Sequence, residues 1–279
     1  MLLLRSCVAE VVGTFLLVLF GTGAVASAVL TGAQVGLWQV AVVWGFGITL
    51  AIYATAAISG AHLNPAVSLA FALFRRSEFP LTKLLPYCVS QLLGGLLGGS
   101  AILWLFGPLI TRFEAAKGLS RGAAGSELSA MVFGEYFPNP AMFGTGEEAR
   151  ALVSPLQAAV VEGFGTAILV FIIFALVDRR SAVLPKHLAP FLIGFTVAVL
   201  ISLFAPLTQA GWNPARDFGP RVVAFFAGWG QVAIPGPSAG FWAYIVGPLV
   251  GGPLGAAAYQ LLLSPGLRAA SRDTKAESG

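Results

Sequence analysis

Asn64-Pro65-Ala66 opens a short apolar stretch, and the same three residues return 149 positions later as Asn213-Pro214-Ala215. Asn is a favoured N-cap residue, and Pro is tolerated at the first helical position because its missing N–H would be unpaired there in any case. Each motif therefore predicts the start of a helix. The apolar stretches that follow, Ala66 to Phe74 and Ala215 to Ala227, are shorter than the roughly 20 residues that a helix needs to cross a bilayer. We predict that both are re-entrant half-helices.

The composition of the chain is that of a membrane protein. Of its 279 residues, 57% are hydrophobic and only 10% are charged, against roughly 25% charged in a typical soluble domain. The 34 glycines fit apolar helices that pack closely through small residues. The net charge of +4 does not indicate a nucleic-acid partner, because basic residues of a membrane protein collect on one face for topological reasons. Cys7 and Cys88 both lie in apolar stretches, so no disulfide is indicated.

Six apolar runs are long enough to cross the lipid bilayer. They are predicted at about Cys7 to Leu30, Leu37 to Ile58, Leu84 to Phe106, Pro155 to Val177, Leu188 to Phe204 and Ala239 to Leu263. The first run also has features of a signal peptide, since Arg5 precedes it and Ala24-Val25-Ala26 resembles a cleavage site. That interpretation is rejected because Glu10 to Thr14 recurs in mid-chain as Glu162 to Thr166, where no signal peptide could lie.

The positions of Lys and Arg predict the orientation of these spans. They cluster at both termini and in the second and fourth connections, at Arg5, Arg75, Arg76, Lys83, Arg179, Arg180, Lys186, Arg268, Arg272 and Lys275. Six spans put all of these on one side, which we expect to be the cytoplasmic side of an inner or plasma membrane. The third connection, Gly107 to Ser154, is then the largest external loop, and residues 265–279 are predicted to form a flexible cytoplasmic tail.

The two halves of the chain form a repeat. The segment from Glu10 to Thr14 is echoed 152 residues later, and Gly45-Phe46 is echoed 149 residues later as Gly194-Phe195. Each half contains three spans, so the second half must insert in the opposite orientation, with a functional site near the midplane. We predict a single domain of residues 1–264, in which repeats of about 5–106 and 155–264 are joined by the loop 107–154.

A third Asn-Pro-Ala, Asn139 to Ala141, falls outside this repeat. It follows the first motif by 75 residues, and Met142-Phe143-Gly144-Thr145-Gly146 cannot continue as a helix. We predict a turn in the external loop there.

The residues before each paired motif are predicted to line a pore with their carbonyl groups, because non-helical backbone at membrane depth survives only inside protein or along a water-filled cavity. They are Ser59, Gly60, Ala61, His62 and Leu63 in the first half, and Thr208 to Trp212 in the second. The side chains of Asn64 and Asn213 would donate amide hydrogens to a passing hydroxyl or water oxygen. The two half-helix N-termini present about half a positive charge each, which opposes cations.

The segments Ser59 to Val67 and Gly211 to Arg221 resemble the motifs of the major intrinsic proteins, the aquaporin and aquaglyceroporin channels, and the resemblance covers essentially the whole chain. The presence of Asp217 directly after Arg216 resembles the motif of the glycerol-conducting branch of this family. The resemblance implies an all-α membrane protein with six transmembrane helices and two re-entrant half-helices. It also implies a homotetramer with one pore per subunit, passive flux of glycerol, water and other small uncharged solutes, no cofactor and no enzymatic activity.

Glu10 and Glu162 are intramembrane carboxylates at equivalent positions of the repeat. A proton relay is one interpretation. Their symmetry favours another, in which each accepts hydrogen bonds from the backbone N–H groups of a re-entrant loop. His62 has no Cys, Asp or second His at ligand spacing, so no metal site is predicted, and a hydrogen bond that fixes the loop is favoured.

Glycerol channels of this family usually line their narrow external constriction with two aromatic residues, a small residue and an Arg. Spacing from the Asn residues assigns these positions to Trp44, Ala210, Ile201 and Arg216. Ala210 stands where the second aromatic residue is expected, and Ile201 fills space where a glycine is expected. The resulting set of Trp, Ile, Ala and Arg is similar to that of plant nodulin-type channels. Arg216 would offer donors to solute hydroxyls and repel cations. Asp217 is expected to be a structural acceptor beside it, with an ion pair between the two as the alternative.

Other functions remain open at this stage. The departure at the constriction allows a channel of the same fold that selects water, small metalloids, urea or lactic acid. A coupled secondary transporter also uses inverted repeats and broken helices, but the sequence shows no cluster of membrane acids for an ion site. An intramembrane enzyme lacks a nucleophile with a base or a functional carboxylate pair. The orientation of Trp212 is left undetermined.

Overall fold

The computed structural model describes residues 2–181 and 185–267, and every regular element within these ranges is a helix. The helices are α1 (Leu2–Ala26), α2 (Leu37–Ser59), α3 (Pro65–Phe74), α4 (Leu84–Lys117), α5 (Glu127–Ala130), α6 (Pro140–Phe143), α7 (Glu147–Arg150), α8 (Pro155–Leu176), α9 (Ala189–Thr208), α10 (Pro214–Ala224) and α11 (Ala243–Leu262). Six of them, α1, α2, α4, α8, α9 and α11, are long and apolar enough to cross a membrane. The prediction of an all-α fold with six spans is confirmed.

Several helix boundaries differ from the predicted ones, and α1 begins at Leu2, five residues before the predicted Cys7. α4 continues past Phe106, the approximate end predicted for the third span, as far as Lys117, so the helical part of the chain extends into the predicted loop 107–154. Ile110 in the added turns is fully buried, so packing holds this part of α4 helical. α9 runs past Phe204 to Thr208, and a 3-10 turn, Pro237–Trp242, precedes α11 and delays its start.

The predicted cytoplasmic tail lies almost wholly outside the described residues. Residues 264–267 are still helical, and the structure describes nothing from 268 onwards.

Both halves of the chain pack their spans in the same way. The first and third spans of each half are in contact, as α1 with α4 and as α8 with α11. The two second spans, α2 and α9, pack against each other and join the halves. Each half-helix packs on the third span of the other half, α3 on α11 and α10 on α4, so neither half encloses its own half-helix completely.

The backbones of α2 and α9 are in close contact at Gly45 and Gly194. A Cβ added to Gly194 would lie 2.2 Å from the carbonyl oxygen of Gly45, and one added to Gly45 would lie 2.8 Å from that of Gly194. The two glycines are equivalent in the repeat, so this mutual contact marks the pseudo-twofold axis. Their repetition in the sequence therefore reflects close backbone contact and not a solute-binding role.

Each half-helix begins as its sequence predicts. The side chain of Asn64 accepts a hydrogen bond from the N–H of Ala66 at 2.8 Å. Asn213 accepts from the N–H groups of Ala215 and Arg216, at 3.1 and 3.2 Å. These caps satisfy N–H groups that have no partner within the helix.

The third motif begins a single helical turn, α6, at the place where a turn was predicted. Asn139 caps this turn through the N–H of Ala141, and Gly144 ends it. The amide group of Asn139 also donates to the carbonyl of Ala205 at 3.2 Å. The motif thus attaches the external loop to the end of α9, and Asn139 is not among the residues that line the cavity described below.

Asp178 ties together the chain at the end of α8. It accepts hydrogen bonds from Arg180 at 2.6 Å and from the hydroxyl of Tyr259 at 2.7 Å. The hydrogen bonds from Arg180 hold the pKa of Asp178 well below its usual range. Asp178 therefore stays charged at neutral pH and links the fourth connection to α11.

We expect Gly194→Ala to lower the thermal stability of the protein in detergent, because the new methyl group meets the backbone of Gly45. Overpacking of this kind costs about 1–3 kcal/mol. Gly107→Ala in α4 is the matched control, since a Cβ there has no neighbour within 4 Å. Melting curves followed by size-exclusion chromatography would contradict the close contact if the two variants melt together.

Candidate functional site

A cavity of about 270 Å³ lies between the two halves of the chain. Its wall includes every constriction residue assigned from spacing, Trp44, Ile201, Ala210 and Arg216, and the loop residues Gly60, Ala61, His62 and Leu63. Asn64 and Asn213 also line it. Most of the remaining wall is apolar and comes from the spanning helices, with Leu17, Ile48, Ile52, Leu169, Ile173, Ile193 and Val197 among its residues.

Asn64 and Asn213 connect the two re-entrant loops by reciprocal hydrogen bonds. The amide nitrogen of Asn64 donates to the carbonyl of Trp212 at 2.9 Å, and that of Asn213 donates to the carbonyl of Leu63 at 2.7 Å. An amide group carries two hydrogens, and each Asn donates one of them in this hydrogen bond. The second hydrogen of each amide is left for another acceptor at the cavity wall.

Glu10 and Glu162 hold the two loops from behind. Glu10 accepts from the N–H groups of His62 and Leu63, at 3.0 and 2.7 Å. Glu162 accepts from those of Gly211 and Trp212, at 3.0 and 2.7 Å. Neither carboxylate lines the cavity, so the contacts favour support of the loops over a proton relay.

The loop backbone explains why a carboxylate suits this place. Ala61, Leu63, Ala210 and Trp212 have φ values of +50°, +51°, +68° and +48°, in the left-handed region that L-residues seldom adopt. Alternation of left- and right-handed residues turns successive N–H groups to one side, where they form a concave site for an anion. The carbonyl groups are then free to face away from the carboxylate.

His62 fixes the first loop through packing and one hydrogen bond. Its Nδ1 lies 3.1 Å from the hydroxyl oxygen of Ser68. Its ring packs against the rings of Phe71, Phe79 and Tyr87, with centroid distances of 4.7, 4.5 and 5.4 Å. No group of three or more His, Cys, Asp or Glu side chains able to hold a metal occurs among the described residues.

Arg216 has two partners, Trp44 and Glu135, of which Glu135 was not predicted from the sequence. Its guanidinium lies 4.4 Å from the ring centroid of Trp44. It also forms an ion pair with Glu135, which lies in the long connection between α4 and α8. Both side chains of the pair are buried. Burial raises the pKa of Glu135, and the adjacent Arg216 opposes this shift by favouring the charged form.

Asp217 pairs with Arg221 and not with Arg216. The carboxylate accepts from Nε and Nη2 of Arg221 at 2.8 and 2.9 Å, and it also accepts from the N–H of Glu135 at 2.7 Å. The alternative of an ion pair between Asp217 and Arg216 is therefore wrong. Arg221 lies one turn after Asp217 on α10, so the i,i+4 spacing could have indicated this pair.

Comparison with known proteins agrees with this geometry. The model of the major intrinsic protein family matches residues 1–259. The chain belongs to this family. The chain is 43% identical over 264 residues to a propanediol uptake facilitator, PduF, of Citrobacter freundii, covering 94% of this chain and 93% of the relative.

Two glycerol uptake facilitator proteins of this family are also similar. The protein of Pseudomonas aeruginosa is 40% identical over 277 residues, covering 99% of this chain and 94% of the relative. The protein of Escherichia coli K12 is 42% identical over 260 residues, covering 92% and 88%. Among solved structures, the aquaglyceroporin from Plasmodium falciparum has a TM-score of 0.79 at 26% identity and covers 95% of this chain and 99% of its own.

Membership of this family confirms three predictions from the sequence. They are the resemblance itself, the fold of six transmembrane helices, and the classification as a membrane channel instead of an enzyme.

The four residues assigned to the constriction have equivalents in the repeat that also line the cavity. Residues 149 positions away from Trp44, Ile201, Ala210 and Arg216 are Ile193, Ile52, Ala61 and Val67, and all four line the cavity. The fold thus builds the same ring twice, once in each half. Among the eight residues of the two rings only Arg216 is charged, and Lys186 is a second charged residue of the cavity wall that lies outside both rings.

We expect Glu162→Gln to destabilise the protein, because the amide keeps one acceptor oxygen and its NH2 group must face either the donors of Thr208 and Gly211 or that of Trp212. Each buried donor left unpaired costs about 1–3 kcal/mol. Glu148→Gln in the external loop is the control, since Glu148 is exposed. Equal melting temperatures of the two variants in detergent would contradict the role of Glu162.

Proposed function

We propose that this chain is a passive channel for glycerol and other small uncharged solutes, together with water. The observation that carries the proposal is the cavity between the half-helices, with Asn64 and Asn213 at its centre and Arg216 in its wall. Relatives named for glycerol and propanediol uptake support it. We further propose that it works as a homotetramer in an inner or plasma membrane, with both termini on the cytoplasmic side.

The cavity combines two kinds of wall. Aliphatic side chains of the spanning helices contact the carbon skeleton of a solute, while the loops supply polar groups. Among the described residues, the carbonyls of Ala61, His62, Ala210 and Gly211 receive no protein hydrogen bond, so they can accept from solute hydroxyls. The second amide hydrogens of Asn64 and Asn213 can donate to the same solute. A polyol thus replaces its water contacts as it passes.

Exclusion of ions follows from the same wall. An ion that enters an apolar cavity loses hydration that a few carbonyl groups do not replace. The facing half-helix N-termini add a positive potential that opposes cations. Because the guanidinium of Arg216 is buried against Glu135, we assign the larger part of the cation barrier to the half-helices and to desolvation.

The direct experiment is osmotic swelling of proteoliposomes in glycerol, urea and water, read beside a pH-sensitive dye inside the vesicles. We expect rapid glycerol entry without proton leak. Protein-free vesicles provide the baseline. Rapid water entry with glycerol entry at the baseline would favour a water-selective channel and contradict the proposal.

The role of Arg216 requires a double variant, because Arg216→Ala alone leaves the carboxylate of Glu135 buried without its partner. Loss of one member of a buried pair costs about 3–5 kcal/mol. We expect Arg216→Ala to be unstable, and Arg216→Ala with Glu135→Ala to fold and conduct glycerol with only a small increase in proton leak. A large leak in the double variant, measured with the internal dye, would assign the barrier to Arg216.

The constriction residues test the choice of solute. Ala210→Phe alone should obstruct the cavity, because the new ring meets Ile201 in the same tight wall. A misfit of about 1–3 kcal/mol corresponds to roughly a fivefold to hundredfold loss of glycerol flux. Ile201→Gly with Ala210→Phe should restore the flux. Unchanged flux in the single variant, at equal amounts of protein in the membrane, would show that these residues do not form the filter.

A further inference from the structure

The cavity has a second closed ring at its centre. Four residues line it where the half-helices meet, namely Leu63, Asn64, Trp212 and Asn213. Their exposed fractions are 2%, 5%, 2% and 6%. The four constriction residues are 4–5% exposed. These four residues are therefore as buried as the four that are assigned to the constriction.

Trp212 makes this central ring asymmetric. Its equivalent in the first half is Leu63, 149 residues earlier. Leu63 packs over Gly13 and Trp212 packs over Gly165, so that a Cβ at these glycines would lie 2.4 Å from the Leu63 side chain and 2.2 Å from the indole nitrogen. The second half thus places an indole where the first half places a leucine.

The indole of Trp212 is held in position on several sides. Its backbone N–H donates to Glu162 at 2.7 Å, and its carbonyl accepts from Asn64 at 2.9 Å. Phe204 packs edge-on to the ring, at a centroid distance of 6.4 Å and an angle of 88°. The ring packs directly against the backbone of Gly165, which has no side chain that could move aside. Trp212 is therefore a rigid part of the wall, and a solute cannot displace it.

The predicted constriction has one aromatic side chain where two are expected. Trp44 supplies an aromatic face on one side, and Ala210 presents only a methyl group on another. Trp212 lies two residues along the loop from Ala210, a distance of at most about 7 Å along the chain. Position 210 supplies no aromatic surface, but Trp212 supplies one two residues further along the loop, beside Asn64 and Asn213.

We propose that Trp212 is a specificity-determining residue that sets the upper size limit for solutes at the centre of the cavity. The inference rests on the proposed channel function and names its solute class. Three-carbon polyols and diols, which have one inner carbon, pass the ring. Four-carbon polyols, which carry substituents on two adjacent inner carbons, are held back by the indole.

The test compares erythritol with glycerol entry into proteoliposomes by light scattering, after subtraction of entry into protein-free vesicles. Trp212→Leu copies the residue of the first half and should raise the ratio of erythritol to glycerol flux roughly tenfold, the factor typical of one carbon unit in a tight apolar site. Trp212→Phe keeps an aromatic ring of smaller size and should give an intermediate ratio. The Nε1 of Trp212 has no protein acceptor among the described residues, so loss of its N–H in this variant breaks no protein hydrogen bond.

Trp104→Leu is the matched control, since Trp104 lies on a spanning helix with 81% of its surface exposed to the outside. It should leave the ratio unchanged. If Trp212→Leu does not reach the vesicles, Trp212→Phe alone decides. A ratio equal to that of the parent in every Trp212 variant that conducts glycerol would overturn the inference. Absence of glycerol entry in the parent itself would instead contradict the proposed function.

Discussion

Two reciprocal hydrogen bonds between the re-entrant loops are the constraint on which the rest of the structure depends. Asn64 donates to the carbonyl of Trp212, and Asn213 donates to that of Leu63, so each half-helix is positioned by the loop of the other half. Backbone at membrane depth must be satisfied by protein or by a polar cavity. Glu10 and Glu162 satisfy the N–H groups from behind, which leaves carbonyl groups for the cavity. The polar face of the cavity is a consequence of this arrangement.

The same backbone, used twice, gives two ends with different chemistry. Arg216 and its equivalent Val67 occupy matching places in the two rings, and both line the cavity. The charged residue needs Glu135, which a loop outside the repeat supplies, whereas Val67 needs no partner. Symmetry therefore provides the cavity, and we propose that departures from symmetry at Arg216 and Trp212 contribute to its selectivity.

Sequence reasoning was strongest where the repeat supplied a second copy of the same signal. The half-helix starts at Asn64 and Asn213 could be read from the pattern because capping is local. Glu135 could not be found in this way, since it has no equivalent in the repeat and its contact with Arg216 depends on the path of a long loop. The continuation of α4 past Phe106 depends on burial of Ile110 by that same loop, which overrides the local signal of Gly107 and Pro108. The orientation of Trp212 could have been predicted from Gly165, because Gly165 is the equivalent of Gly13, over which Leu63 packs.

The most direct test of the account is a counterflow measurement with radioactive glycerol in proteoliposomes, with and without glycerol inside. A cavity lined on all sides by fixed groups predicts that unidirectional entry rises in proportion to concentration and is not accelerated by internal glycerol. Saturation at low concentration, together with acceleration by internal glycerol, would show that the protein changes conformation in each transport cycle. That result would contradict a passive channel.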